Sequence, residues 1–112
     1  HLSMFTNVSW ATENTLKCSY IFDGKSYPLE YERVGNKLVE KTPTRMIGTH
    51  NILLDNNDVL IFGSPVYDGG PYGYQISIIS KKSRELVTRV LDEAFAEQDG
   101  RNPAVYGACF FR

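Results

Sequence analysis

Two cysteines constrain this 112-residue chain more than any other feature. Cys18 and Cys109 stand 91 positions apart, each in a short alternating segment: Leu16-Lys17-Cys18-Ser19-Tyr20-Ile21-Phe22 and Val105-Tyr106-Gly107-Ala108-Cys109-Phe110-Phe111. Alternation puts successive side chains on opposite faces of a strand. Two thiols in matched strand settings are read as one disulfide pinning the last strand to an early one, which requires α-carbons within about 7 Å. A link across so long a loop removes roughly 4–5 kcal/mol of unfolded-chain entropy in the chain-entropy model. It also places the protein outside the reducing cytosol, in the periplasm or secreted. Two buried free thiols are the first alternative, and a reactive or metal-binding pair the second. No Cys-x-x-Cys or Cys-His cluster accompanies either thiol, so the second has little to build on.

The rest of the chain reads as short strands separated by turn chemistry. Residues 1–13, with Leu2, Met4, Phe5, Val8 and Trp10 in no clean period, are read as a lead-in segment packed against the body. Leu16, Cys18, Tyr20 and Phe22 share one strand face, and Asp23-Gly24 then signals a two-residue hairpin. Tyr27, Leu29 and Tyr31 alternate on the return, where Pro28 implies a free edge or a bulge. Gly35-Asn36 marks another reversal before 37–41. Strands follow at 51–55 and 58–62, joined through Asn56-Asn57, and again at 74–80 and 105–111.

Residues 84–99 behave differently. Leu86, Val87, Val90, Leu91, Ala94 and Phe95 fall at helical spacing among polar neighbours, with Ser83 placed as an N-cap and Gly100 as a stop. The spacing predicts one helix here. The competing reading is a hairpin turning at Lys81–Arg84 into a strand from Leu86 to Leu91. The expected fold is therefore α+β: a single domain over 1–112, with an antiparallel sheet of about six or seven strands and one helix on one face. An all-β sandwich or barrel is the alternative.

Chemistry-bearing motifs are scarce. Nucleophile-elbow, phosphate-loop and zinc-protease patterns are absent. His50 is the sole interior histidine and is read as a packing residue. Asp55 and Asp58 flank Asn56-Asn57 as in a plain turn, lacking the spaced ligands of a calcium loop. Tyr20, Tyr27 and Tyr31 have no basic stripe beside them, and the net charge is −1, so a base-stacking sheet is set aside. The sequon Asn7-Val8-Ser9 has meaning only in a eukaryotic secretory setting. No apolar run approaches the roughly 18 residues of a membrane-spanning helix. Ser3, Thr6 and Asn7 interrupt any leader-like stretch, so an exported chain is read as the mature form. The best recognition candidate is the loop Tyr67-Asp68-Gly69-Gly70-Pro71-Tyr72-Gly73-Tyr74. Tyrosine offers wide amphipathic contact at low entropy cost, and glycine and proline shape the loop. Tyr67, Asp68, Tyr72 and Tyr74 are the expected binding residues, although the same tyrosines could fold back to cap the core.

Leu16-Lys17-Cys18, then Ile76-Ser77-Ile78 with Lys81-Lys82-Ser83, and the closing Gly107-Ala108-Cys109 together resemble small exported bacterial proteins of unassigned function. That family carries an early strand cysteine and a Gly-x-Cys near its end. The resemblance implies export and favours the hairpin reading of 81–91. Periplasmic inhibitors of c-type lysozyme share the size and the disulfide habit, but their Ser-Gly-x-x-Tyr motif is not present in this chain. The expected function is a non-catalytic binder of the inhibitor, immunity or envelope-adaptor type. Its partner is another protein, without nucleic acid, membrane insertion or cofactor. An assembly component with an open edge strand comes second, and a carboxylate-dependent hydrolase third. Carboxylates converging in a pocket beside His50 would favour the hydrolase.

Overall fold

A computed structural model describes residues 14–41, 46–66, 73–92 and 104–112. Eight strands run in chain order: β1 (Thr15–Phe22), β2 (Lys25–Val34), β3 (Lys37–Lys41), β4 (Met46–Asp55), β5 (Val59–Val66), β6 (Gly73–Ser80), β7 (Glu85–Asp92) and β8 (Val105–Phe111). Each pairs antiparallel with the next, and β8 returns to β1, so the meander closes into a barrel. This corrects the α+β expectation. No helix occurs among the described residues, and the all-β barrel alternative fits. The span expected as helix from 84 is strand β7 through Asp92, and 93–99 lie outside the described residues, as does the lead-in 1–13.

The misreading has a physical cause. On β7 the inward positions are Leu86, Thr88 and Val90, and the outward ones include Val87 and Leu91. Apolar residues on both parities imitate a helical stripe. Ser83 does cap, but caps a turn: its Oγ accepts from the Glu85 amide at 3.3 Å, while its own amide donates to Ser80 Oγ at 3.2 Å. Arg84 takes a left-handed φ of 68° before β7 begins.

Turn chemistry matches the sequence elsewhere. Asp23 and Gly24 have φ values of 53° and 75°, as a type I′ hairpin requires. Asn56 Oδ1 accepts from the amides of Asp58 and Val59 at 2.8 and 2.9 Å, closing the β4–β5 turn. Pro28 sits opposite Ser19, while β3 reaches only as far as Glu30, so on β2 the proline faces no β3 partner.

The seam between β1 and β8 is covalent. Cys18 and Cys109 are directly opposed and disulfide-bonded, with α-carbons 4.0 Å apart. The Cys109 amide points the other way and donates to the Arg84 carbonyl at 2.8 Å. The cysteines therefore form a non-hydrogen-bonded pair, the closer of the two antiparallel pair types. Two residues away, Gly107 faces Tyr20 so closely that a Cβ would come within 2.1 Å of the Ser19 carbonyl oxygen. Only glycine lets the seam close there.

Inside, Leu16, Leu38, Leu60 and Ile79 are fully buried at one end, with Tyr31, Phe62, Leu86 and Cys109 further along. That end is closed by charge. Asp55 Oδ2 accepts from Arg33 at 2.7 Å, and Asp55 Oδ1 pairs with Lys81, which is 5% exposed and lies 5.7 Å from the Phe111 ring centre. A bulge makes this network possible. Ile52 pairs with Phe62 and Leu54 with Ile61, leaving Leu53 as the extra residue. Without it Asp55 would fall on the outward parity.

Replacing Cys18 and Cys109 together by alanine is expected to lower the unfolding free energy by about 4 kcal/mol, as the lost loop constraint dictates. Urea denaturation of the two proteins measures this, and a loss under about 1 kcal/mol would contradict a bond that constrains the whole chain.

Candidate functional site

A cavity lies toward the other end of the barrel. The β1–β2 hairpin lies there, and the chain leaves the described strands there at Lys41, Val66 and Asp92. The cavity has a volume of about 380 Å³ and is lined on its apolar side by Tyr20, Phe22, Leu29, Leu86 and Val90. Glu40, Gln75, Thr88 and Arg89 bring polar groups to it. Thr88 Oγ1 is engaged with Ser77 Oγ at 2.8 Å, a pair of opposed hydroxyls inside the barrel.

Glu40 is the inward residue of β3 after Leu38. Its Oε1 accepts from His50 Nε2 at 2.8 Å, and Ser64 Oγ lies 2.8 Å from His50 Nδ1. An ionised carboxylate only accepts, so Nε2 donates to Glu40, and the Ser64 hydroxyl, which can both donate and accept, partners Nδ1. His50 is 6% exposed and packs edge-on against Tyr31 and Phe62, with ring centres 5.6 and 5.7 Å away. The relay Ser64–His50–Glu40 resembles a nucleophilic triad in composition, but of the three only Glu40 lines the cavity. The relay orients the carboxylate for the cavity; the serine is spent on holding the imidazole. Tyr31 stands beside it, its phenol pushed well above the ordinary range by burial, then by the Glu40 charge and Tyr20.

A second surface lies on the outside of the barrel. Following the register from strand to strand, Leu54, Ile61, Ile78, Val87, Tyr106 and Ile21 stand directly opposite one another across β4, β5, β6, β7, β8 and β1. All six are on outward parity. Tyr106 is 64% exposed, Ile21 54%, Leu54 45% and Ile78 39%. Tyr74 and Leu91 extend this wall toward the cavity end as another opposed pair. The opposite side of the barrel is polar: Glu30, Glu32, Lys37 and Lys41 face outward on β2 and β3, with Lys41 paired to Glu32.

The expected binding residues separate on this map. Tyr67, Asp68 and Tyr72 lie outside the described residues. Tyr74 lies on the apolar wall, its ring across Gly63, where a Cβ would come within 2.5 Å of it. Cys18 and Cys109 form the seam. Glu40 and Ser64 were not signalled by sequence, since a carboxylate and a serine on separate strands carry no motif. The wall could have been found: apolar residues on both parities of 59–62, 76–79 and 86–91 mark strands covered on both faces. Comparison of the chain with protein-family models, with curated proteins and with solved structures found no match.

Because Tyr31 is held neutral in the fold, its ionisation is easier in the unfolded chain. Its contribution to stability is full below the ordinary phenol pKa of about 10 and falls as pH rises through it. Tyr31→Phe is expected to flatten the alkaline decline of the urea midpoint. An unchanged decline would contradict the burial.

Proposed function

We propose that this chain is a non-catalytic protein-binding module of an oxidising compartment, periplasmic or extracellular, and that the apolar outer wall is its contact surface. One observation carries the reading: an unbroken cross-strand row of six outward apolar residues, four of them strongly exposed. Soluble monomers rarely expose a contiguous apolar patch beyond a few hundred Å², and larger ones mark interaction sites. Exposed Tyr106 and the aromatic Tyr74 are the residue types that anchor interfaces. Around them Arg84, Glu85 and Lys82 supply a polar rim of the kind that surrounds such patches.

The charged outer faces of β2 and β3 favour a protein partner over immersion in a bilayer, because a membrane barrel needs an apolar girdle on every side. The disulfide is compatible with an oxidising compartment. The resemblance to exported proteins supports the same location. Against an assembly role by strand addition, β1 and β8 are paired with each other and offer no full-length edge. A carboxylate does converge on His50, as a hydrolase would need, but paired-carboxylate chemistry requires a second one, and the described cavity wall carries Glu40 alone.

The test is affinity capture from a periplasmic or secreted-protein extract with three baits: wild type, the double variant Ile78→Lys/Tyr106→Lys, and Glu40→Gln. Both substitutions on the wall sit at exposed positions, and non-reducing peptide mapping confirms that each bait retains its disulfide. A protein enriched by wild type and Glu40→Gln but lost with the wall variant is the expected result. Equal enrichment by all baits, or no enrichment over an unrelated barrel, would overturn the reading.

A further inference from the structure

The interior of the barrel is a surface separate from the outer wall and carries an inference independent of any protein partner. A cavity of about 380 Å³ at the end of an eight-stranded barrel has the size of a small-ligand pocket, and barrels of this strand number enclose one small molecule. Two charged residues border it. Arg89 stands on the outward parity of β7, whereas Glu40 stands on the inward parity of β3. The Glu40 side chain is 15% exposed. Oε1 accepts a hydrogen bond from His50 Nε2, and His50 is the only hydrogen-bond partner of this carboxylate among the described residues.

A buried carboxylate without a cation is costly unless its hydrogen-bonding capacity is filled. Here the Ser64–His50 pair engages Oε1 of a residue that lines the cavity, and no hydrogen bond to Oε2 is made among the described residues. The complement of that arrangement is a cationic donor on an apolar body. We propose that this cavity binds a small amphipathic amine, its ammonium on Glu40 and its hydrocarbon along Phe22, Leu29, Leu86 and Val90. Gln75, on the strand position opposite Ser64, offers a second polar contact to the head group. An anionic head would meet the Glu40 charge, and a purely apolar molecule would leave the carboxylate unfilled.

Octylamine, octanol and octanoate share one chain and differ in the head, so they separate these cases. Each is titrated into the wild-type chain, Glu40→Gln and Ile78→Lys/Tyr106→Lys, followed by amide chemical shifts and calorimetry. Octylamine is expected to bind the wild type and the wall variant alike, shifting amides of Phe22, Leu29 and Val90 while leaving Ile78 and Tyr106 in place. Glu40→Gln should weaken octylamine by about tenfold, the size of one charge-assisted hydrogen bond, and change octanol little. Glutamine keeps the shape and the hydrogen bond from His50, so the fold survives the substitution. Octanoate binding as tightly as octylamine would overturn the proposal. So would octylamine binding that ignores Glu40→Gln, shifts confined to the wall, or no saturable shifts at millimolar ligand. Wall-dependent protein capture is unaffected by any of these results, so the two readings fail separately.

Discussion

The β1–β8 seam is the constraint on which the rest of the structure depends. An open meander of eight strands would leave β1 and β8 as long edges and would spread its two faces apart. Joining them turns one face into an interior and removes the edges. Two side chains make the junction close: the disulfide at Cys18–Cys109, and the absence of a side chain at Gly107, which lets β8 approach the Ser19 carbonyl. Every inward residue then has a counterpart across the barrel, and Leu16, Leu38, Leu60 and Ile79 become a core rather than one face of a sheet.

The two ends of that interior are finished differently. At one end the β4 bulge turns Asp55 inward to meet Arg33 and Lys81, and Phe111 lies under the ammonium. Charges there are matched within the chain. At the other end the polar groups run as a relay from Ser64 through His50 to Glu40, and the last member faces a cavity. Among the described residues, Asp55 is matched by two cations at its end, whereas Glu40 is the carboxylate on the cavity wall. The outside adds a second asymmetry: the cross-strand apolar row runs from β4 around to β1, whereas β2 and β3 carry outward Glu30, Glu32, Lys37 and Lys41.

Much of the fold was legible where local chemistry decides it. The cysteine pairing followed from two alternating segments, and Asp23-Gly24 fixed a hairpin because only residues tolerant of positive φ fit there. Strand β7 was illegible for a reason that bears on function. Val87 and Leu91 belong to the outward apolar wall and Thr88 is an inward polar residue, so polar and apolar residues do not alternate cleanly along β7, and its apolar residues fall at helical spacing instead. The β4 bulge was equally hidden, since Leu53-Leu54 reads as a continuous run until the partner strand shows which of the two is extra. His50 was read as a packing residue, and its rings do pack. Its hydrogen bonds to Glu40 and Ser64 needed the register of three strands, which a single chain does not display.

The closed barrel itself is most directly tested by nuclear Overhauser contacts between α-protons. In a non-hydrogen-bonded antiparallel pair the two α-protons face each other across the narrow spacing. The account predicts a strong α-proton contact between Cys18 and Cys109, together with cross-strand contacts placing β7 between β6 and β8. A run of sequential amide–amide contacts through Glu85–Leu91, or no contact between the strands of Cys18 and Cys109, would contradict it.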